Sequence, residues 1–300
     1  MKDDLAPVIL FVYDRLEETK RTISALKSNY LSKYSHLYVF SDAPKRHASK
    51  DKVIKVREYV NNLDGFKSVT VIHRESNYGL AKSVIEGVTS VISNHGKVIV
   101  LEDDLITSQN FLTYMNMSLN FYKNSGVVYS ISGYTPPIDG IRDYEFDSYF
   151  SYRSYSWGWA TWSDRWSVID WKIKDFSQFN NNSKSQKLFN KGGQDLTRML
   201  RKQKSGKLDS WAIRWCYNQF LQQKLTLCPM SSKVVNIGFN KNGTHTVKQK
   251  EYKDVLDVKD KTNFNFPVNI EIQPDILKQS LWYNTNMFKI IKLLQRVLKI

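Results

Sequence analysis

The chain has 300 residues, of which 41% are hydrophobic and 24% charged, so it can bury a full core and is not disordered as a whole. Its 44 lysines and arginines outnumber its 29 acidic residues and give a net charge of +15, which favours nucleotides, nucleic acid or phospholipid headgroups as partners. Two cysteines are too few for a disulfide framework, which indicates reduced thiols and a cytosolic protein.

The first third of the chain alternates short apolar runs with amphipathic helical patterns. The N-terminal run reads as a strand rather than a signal peptide, and no apolar stretch of the sequence is long enough to span a bilayer. Four runs predict strands: PVILFVY (7–13), HLYVFSD (36–42), SVTVIHR (68–74) and KVIVLEDD (97–104). The alternation predicts an α/β fold whose parallel sheet is covered by helices on both faces.

Polar side chains stand where each of these strands ends. In parallel α/β sheets, ligands gather at the carboxyl ends of the strands. The four ends carry Tyr13, Asp14 and Arg15, then Ser41 and Asp42, then Arg74, and finally the acidic triplet of residues 102–104. We therefore expect one crevice with groups that can hold a sugar nucleotide.

Glu102, Asp103 and Asp104 form an acidic triplet in a chain with an excess of positive charge. Neither a GxGxxG turn after the first strand nor a GxxxxGK[ST] loop is present, so another group must neutralise a bound phosphate. Mn²⁺ or Mg²⁺ held by carboxylates would do so. Along an extended segment Glu102 and Asp104 face one way and Asp103 the other, and Asp104 is the best metal ligand. The alternative is a helix cap, for which Thr107 or Ser108 is better placed.

Four segments, in this order and spacing, resemble the nucleotide-sugar-binding half of GT-A glycosyltransferases. They are PVILFVYDR (7–15), VFSDAP (39–44), HRESNYGLAKSVIEGV (73–88) and VIVLEDDLITSQNF (98–111). The resemblance is to inverting enzymes of the N-acetylglucosaminyltransferase I type and to bacterial capsule or O-antigen glycosyltransferases, where an EDD form of the DxD motif ends the fourth strand. It implies a Rossmann-like, mixed but mostly parallel sheet over residues 6–115, and a UDP-sugar donor.

The resemblance also implies roles for individual residues. Tyr13 and Arg15 would lie near the base and ribose of the donor, and Asp42 near the base. Arg74 and Asn77 would lie near the nucleoside or its phosphates, and Asp103 near the donor ribose or sugar. A tight turn of Gly79, Leu80 and Ala81 would pack against the nucleotide. Asp104 would hold the metal. For Tyr13, an ordinary place in the core is an equal alternative.

The second half of the chain is dense in aromatic residues from Gly133 to Trp171 and loses the strand–helix rhythm. Aromatic rings suit either the C–H faces of an acceptor sugar or a hydrophobic core, and different residues here can serve each purpose. We place Trp157, Gly158 and Trp159 on the acceptor side. The polar stretch NNNSKSQKLFNKGG (180–193) predicts a mobile loop or a linker, and a loop here could order over bound donor.

A helical pattern over residues 206–224 opens at Asp209 or Ser210. Inversion at an anomeric carbon needs a carboxylate that takes the proton of the attacking hydroxyl. Asp209 matches the catalytic aspartate of the family motif, an Asp followed by a Trp-bearing helix start. The alternative role is a helix N-cap, whose hydrogen bonds would weaken the carboxylate as a base.

Two features near the C-terminus carry further predictions. His245, after the glycines of NIGFNKNGTHT (236–246), would complete the metal shell or bind the leaving diphosphate, or else lie on a surface loop. Residues 287–300 predict a basic amphipathic helix that binds an anionic membrane or packs on the protein.

These observations predict a metal-dependent inverting glycosyltransferase of bacterial surface polysaccharide synthesis, with Mn²⁺ or Mg²⁺ as cofactor. Its partners would be a nucleotide sugar and a glycan or lipid-linked acceptor, with no nucleic acid, and it would be cytoplasmic or peripheral on the inner face of the membrane. We divide the chain into a donor half (1–125), an acceptor half (126–250) and a C-terminal extension (251–300). The alternatives are a sugar-nucleotide pyrophosphorylase and a non-enzymatic glycan- or nucleic-acid-binding module.

Overall fold

The computed structural model of the chain describes residues 4–138, 141, 144–238 and 256–282. Ten strands are present in these ranges: β1 Val8–Val12, β2 His36–Ser41, β3 Ser68–His73, β4 Lys97–Glu102, β5 Leu105–Thr107, β6 Val128–Ser132, β7 Ser148–Ser151, β8 Trp159–Trp162, β9 Leu225–Pro229 and β10 Val234–Asn236. The α-helices of the same ranges are α1 Leu16–Lys27, α2 Lys50–Asn61, α3 Gly79–His95, α4 Phe111–Phe121, α5 Ser163–Trp166, α6 Phe176–Asn180, α7 Ser183–Phe189, α8 Leu196–Lys204, α9 Trp211–Leu221 and α10 Pro274–Trp282.

The four strands predicted in the first third are all present and pair in parallel, in the order β3-β2-β1-β4. The sheet continues through the second half as β8-β6-β9-β7, with β8 antiparallel to both β4 and β6. The predicted α/β class, with a mixed and mostly parallel sheet between helices, is therefore confirmed. One sheet takes strands from both sides of residue 125, and the division of the chain at residues 125 and 250 stays a prediction.

Helices cover both faces of the sheet because its central strands are apolar on both sides. Alternate residues of β1 face opposite ways: Val8 and Leu10 pack in a core with α1 and α4, whereas Ile9 and Phe11 pack in a second core with α3. All five residues of β1 are buried. A strand buried on both faces reads as a continuous apolar run, which is why the sequence identified it.

The carboxyl ends of β1 to β4 form one edge of the sheet, which we call the carboxyl edge. Because β9 runs parallel to β6 and β6 runs in the same direction as β4, β9 has the same orientation as the first four strands. Helix α9 leads directly into β9 and therefore begins at the carboxyl edge. Helix α3 follows β3 and begins at this edge as well.

Most of the aromatic residues of the second half belong to the core. Trp159 is 1% exposed, and its ring packs at centroid distances of 5.6, 5.0 and 5.4 Å from Trp166, Trp211 and Trp215. These rings fill the space between the sheet, α3 and α9, and aromatic packing of this kind stabilises a core beyond the buried area alone. The core interpretation is thus correct for Trp159, and the prediction that its ring lines the acceptor side is wrong because the ring is not accessible.

The prediction of a mobile loop at residues 180–193 is also wrong. Helix α7 lies in this stretch, and the Asn182 side chain caps it by accepting a hydrogen bond of 3.0 Å from the Ser185 backbone N–H. Phe189 is buried against Phe179 and Tyr217. The polar composition concealed the single apolar anchor that holds a short helix to the protein.

A buried ion pair holds the C-terminal segment to the rest of the fold. Lys233 and Asp257 are both less than 9% exposed and contact each other directly, and Asp257 also accepts a hydrogen bond of 3.1 Å from Asn110. The Lys233 ammonium lies 4.9 Å from the centre of the Phe264 ring. Because Lys233 immediately precedes β10, this pair fixes the approach of β10 to β5.

Removing one member of this pair is expected to destabilise the protein strongly. Lys233→Met leaves the Asp257 carboxylate buried without its cation and should lower the free energy of unfolding by about 3–5 kcal/mol in urea titrations. The matched control is Asp4→Asn at the surface pair with Lys97, where the Asp4 side chain is 82% exposed and the expected change is under about 1 kcal/mol. Equal small changes at both pairs would contradict the structural role of Lys233.

The predicted membrane-binding helix at residues 287–300 lies outside the described residues. Within the described part of the chain, no helix combines the length and the apolar character needed to cross a bilayer.

Candidate active site

The acidic triplet occupies the end of β4 and a tight turn. Glu102 is the last residue of β4, opposite Phe11 of β1, and Asp103 and Asp104 form the turn into β5. The predicted alternation along one extended segment is therefore wrong at Asp104, because the chain reverses its course there. Two hydrogen bonds stabilise the turn. The Tyr13 N–H donates one of 3.2 Å to the Asp103 carboxylate, and the Ile237 N–H donates one of 2.8 Å to the Asp104 carbonyl.

The Asp104 carboxylate lies at the centre of a polar cluster from three parts of the chain. Its Oδ2 accepts a hydrogen bond of 2.9 Å from Arg15 Nη1, and its Oδ1 accepts one of 3.3 Å from Asn236 Nδ2. Asn236 stands opposite Leu105 in the antiparallel β5–β10 pair, which brings the distant segment to Asp104. The sequence signal at Asn236 is weak: a polar residue that ends a short apolar run two positions before a glycine.

Gly238 passes so close to this cluster that only glycine fits. A Cβ at this position would overlap Asp104 Oδ2 and would lie 3.0 Å from Arg15 Nη1. The Gly238 N–H also donates a hydrogen bond of 2.7 Å to the Asn236 side chain. Backbone therefore covers one side of the Asp104 carboxylate, a close approach that glycine permits.

The three carboxyl groups lie close together and are poorly solvated, and the pKa of each is raised. Burial, followed by the like charges of its neighbours, raises the pKa of Glu102 to about 8 and that of Asp103 to about 7. Burial also raises the pKa of Asp104, although the Arg15 guanidinium opposes the shift. Glu102 has no hydrogen-bond donor among the described residues. One guanidinium, that of Arg15, stands beside three carboxyls, so a bound cation would supply the further positive charge that ionisation of all three needs.

These pKa values predict a pH dependence of stability in the absence of divalent ions. Because the folded protein holds protons on Glu102 and Asp103 that the unfolded chain releases above its ordinary values of 4.5 and 3.8, the free energy of unfolding should fall as the pH rises through about 7 and 8. Thermal unfolding in EDTA between about pH 5 and pH 8 measures this decline. In Glu102→Gln the free energy of unfolding should fall less steeply with pH, whereas the exposed control Glu86→Gln should keep the wild-type slope. A slope in Glu102→Gln as steep as in the control would contradict the prediction.

Asp42 organises the start of α3 at the same edge. Its carboxylate accepts three backbone hydrogen bonds of 2.9 Å, from Ala43, Tyr78 and Gly79, and one of 3.1 Å from the Asn77 side chain. These bonds engage both carboxylate oxygens in holding the β2 end to the α3 start. The predicted contacts of Asp42 and Asn77 with a nucleoside stay predictions, and their present contacts give both residues a structural task.

The first three residues of helix α3 differ in how accessible they are. Gly79 adopts a φ of +70°, and nothing described lies within 4 Å of where its Cβ would be. Leu80 is 46% exposed, whereas Ala81 is buried against the second core. The predicted turn against the nucleotide is therefore an open helix start, at which Leu80 is available to a ligand and Ala81 is not.

Arg74 and Tyr13 lie at the ends of β3 and β1. The Arg74 guanidinium stacks over the rings of Phe40 and Tyr78, at 5.1 and 4.6 Å from their centres. Its buried Nε has no hydrogen-bond partner within the part of the chain that the structure describes. The Tyr13 hydroxyl accepts a hydrogen bond of 2.9 Å from the Lys45 N–H.

Arg57 is a residue of this edge that the sequence analysis did not identify. Its guanidinium donates hydrogen bonds to carbonyls at the ends of β2 and β3 and so links the two strand ends.

Gly158 brings the acceptor-side segment to the end of β4. It precedes Trp159, which pairs with Val100, and its own Cβ position would be 3.4 Å from Leu101 Cδ2. The ring of Trp157 is only partly buried and lies edge-on to Tyr134 at a centroid distance of 4.5 Å. Trp157 and Tyr134 are therefore the partly accessible aromatic pair on this side, and Tyr134 escaped the sequence analysis because nothing in its local pattern distinguishes it.

Asp209 lies just before α9, at the carboxyl edge. Ser210 and not Asp209 is the N-cap, since Ser210 Oγ accepts a hydrogen bond of 3.3 Å from the Ile213 N–H. The Asp209 side chain is 73% exposed and pairs with Arg214 at 3.3 Å. Its carboxylate is therefore not held by the helix start, and Trp211, two residues on, stacks on Trp159 at the end of β4.

The side chains at this edge suit a hard divalent ion when a ligand supplies further oxygens. Among the described residues, no group of three His, Cys, Asp or Glu side chains converges to hold a metal on its own. Mg²⁺ and Mn²⁺ sites usually use one or two carboxylates together with substrate phosphates and water, which matches Asp104 and its acidic neighbours. His245, the second predicted metal ligand, lies outside the described residues.

Comparison with known proteins gives distant structural likenesses. The chain matches no protein-family model and no curated protein sequence. A mannosyltransferase, PcManGT from Pyrobaculum calidifontis, solved with GDP-Man and Mn²⁺, is similar at 13% identity and a TM-score of 0.36, over 54% of this chain and 48% of that one. S. aureus TarS is similar at 13% identity and a TM-score of 0.33, over 47% of this chain and 23% of that one. The matches thus span about half or less of the length of each solved structure, and the functional argument depends on the site.

Proposed function

We propose that this chain is a metal-dependent inverting glycosyltransferase that transfers a sugar from a nucleotide-diphosphate donor, with UDP-sugars as the first class to test, to a hydroxyl of a glycan. The observation that carries the proposal is the cluster of Asp104, Arg15, Asn236 and Gly238 at the carboxyl edge, beside two carboxyls with raised pKa values. Crowded carboxylates beside a guanidinium suit a diphosphate and its cation.

The donor would lie along the carboxyl edge. Mn²⁺ or Mg²⁺, when bound, would neutralise the diphosphate and stabilise the leaving group electrostatically. Asp104 would hold this ion, with Asp103 and Glu102 as the neighbouring oxygen donors. Arg15 and Arg74 would bring positive charge to the phosphates, and the exposed Leu80 would pack against the nucleoside.

Asp209 would act as the general base. Its exposed carboxylate would accept the proton of the acceptor hydroxyl while that oxygen attacks the anomeric carbon from the face opposite the leaving group. The bond between the anomeric carbon and the diphosphate oxygen would break, and its electron pair would stay on the nucleoside diphosphate. The Asp209 carboxylate is free of N-cap bonds, which supports this role.

The acceptor would bind against the Trp157–Tyr134 pair, since partly accessible aromatic rings suit the C–H faces of a sugar. We further propose a lipid-linked acceptor, a role in bacterial surface polysaccharide synthesis, and attachment of residues 287–300 to an anionic inner membrane surface. The basic amphipathic pattern of the tail supports the last of these.

A thermal-shift panel of sugar nucleotides with Mn²⁺ tests the proposal, because a ligand that binds only the folded state raises Tm. We expect one donor class, tested as UDP- and GDP-sugars in parallel, to raise Tm in Mn²⁺ and not in EDTA. Two results would contradict the proposal: a Tm rise with oligonucleotides that disappears steeply with salt, or synthesis of a sugar nucleotide from a nucleoside triphosphate and a sugar phosphate.

A further inference from the structure

The Arg15 guanidinium is bound to the Asp104 carboxylate, which the proposed function assigns to the metal. Arg15 Nη1 contacts Asp104 Oδ2 at 2.9 Å, and the side chains are 19% and 14% exposed. The hydrogen bond from Asn236 Nδ2 takes the other carboxylate oxygen, and the Gly238 backbone closes a third side. In this state both Asp104 oxygens already accept a hydrogen bond, one of them from a cation, so a metal ion would compete with Arg15 for the carboxylate.

The charge of Arg15 is secured by its surroundings. Burial alone would lower the pKa of Arg15, but Asp103 and Asp104 outweigh burial and raise it. Arginine keeps its proton in proteins, so Arg15 stays a cation when it leaves Asp104, and a bound anion is the group that would attract it.

The Arg15–Asp104 contact has a geometry that permits such a move. The Arg15 Nη1–Asp104 Oδ2 contact is monodentate, whereas the strongest Arg–carboxylate pairs are bidentate. The buried pair of Arg153 and Asp195 in the same protein is bidentate, at 2.9 and 3.2 Å. Arg15 is also the residue directly before α1, so its side chain starts from a helix end at the carboxyl edge.

We propose that Arg15 is the internal counter-ion of Asp104 and that donor binding exchanges it for the divalent cation, with the guanidinium moving to the diphosphate. This inference rests on the proposed function and adds a residue role to it. The exchange couples the two ligands: the diphosphate attracts Arg15 away from Asp104, and the vacated carboxylate binds the ion. Cation binding without nucleotide is weak because Arg15 competes for the same oxygen.

Nucleotide-free Mn²⁺ binding, measured from the electron paramagnetic resonance signal of the free ion, tests the exchange without any turnover. In the wild type, Mn²⁺ alone should bind weakly and UDP should strengthen its binding. Arg15→Met keeps the apolar stem and removes the competitor, so Mn²⁺ alone should bind about tenfold more tightly and UDP should add little. The control Arg21→Met, an exposed arginine on the same helix, should behave as the wild type.

The outcomes separate this inference from the proposed function. If Arg15→Met binds Mn²⁺ alone no more tightly than the wild type, while the wild type binds Mn²⁺ with UDP, the exchange is wrong and the metal-dependent donor site survives. If the wild type and the Arg21→Met control bind no Mn²⁺ even with UDP or GDP, the metal-dependent function is wrong and the exchange falls with it. The first conclusion requires a folded Arg15→Met, verified by its Tm, whereas the second depends only on the wild type and Arg21→Met.

Discussion

Asp104→Asn is expected to lower the rate of sugar transfer by roughly 10³-fold or more, because it removes the carboxylate that we assign to the cation that stabilises the leaving diphosphate. The asparagine keeps the shape of the side chain and one acceptor oxygen for Arg15, whereas its NH2 group faces the Asn236 amide. A small fall in Tm is therefore expected, and the variant should stay folded under the assay conditions. The measurements are donor turnover at saturating Mn²⁺ and thermal unfolding of the same preparation.

The matched control for this substitution is Asp64→Asn. Asp64 is an ion-paired aspartate on the surface, bound to Lys27 and 85% exposed, and it lies before β3 at the edge opposite the triplet. It should transfer sugar at the wild-type rate. Undiminished turnover and Mn²⁺ binding in folded Asp104→Asn would remove Asp104 as the metal ligand.

The second large effect is expected at Asp209. Asp209→Asn should slow transfer by about 10²–10⁴-fold, the usual contribution of a positioned acid or base, while donor affinity stays unchanged. The separation follows from the assigned role, since Asp209 contacts the acceptor hydroxyl and not the nucleotide. Calorimetry of donor binding and initial rates of transfer measure the two quantities.

Asp164→Asn is the control for Asp209. Asp164 is likewise exposed, at 68%, and likewise ion-paired to a nearby arginine, but it follows the end of β8 that lies beside Lys97, at the opposite edge of the sheet. A loss of transfer in both variants, or in neither, would show that the base is another group. Loss of donor binding in Asp209→Asn would instead assign this residue to the donor side.

Strands β1 and β4 were predictable because a strand buried on both faces is apolar nearly throughout, and the neighbouring helices carry one apolar stripe. The turn at Asp103 and Asp104 was not predictable in this way. It depends on Asn236 and Ile237, which reach it only through the pairing of β10 with β5. Long-range pairing leaves little trace in local sequence, so the sequence could propose the acidic triplet as a metal site but could not predict the backbone turn that presents it.

Local sequence also could not decide which aromatic rings of the second half remain accessible. Trp157 and Trp159 are two residues apart and equally suited to sugar contact by composition, yet one is partly accessible and the other is in the core. The difference arises from helix α9, whose Trp211 and Trp215 cover Trp159. Only the assembled layers decide which ring of such a segment remains available.

Calorimetric titration of UDP and GDP into the wild-type protein, with Mn²⁺ and with EDTA, tests the central claim most directly. If the carboxyl edge holds a nucleotide diphosphate through a cation on Asp104, one of the two nucleotides should bind at least about tenfold more tightly with Mn²⁺, and Asp104→Asn should abolish the difference. Equal affinities in Mn²⁺ and EDTA, or no binding of either nucleotide, would contradict it.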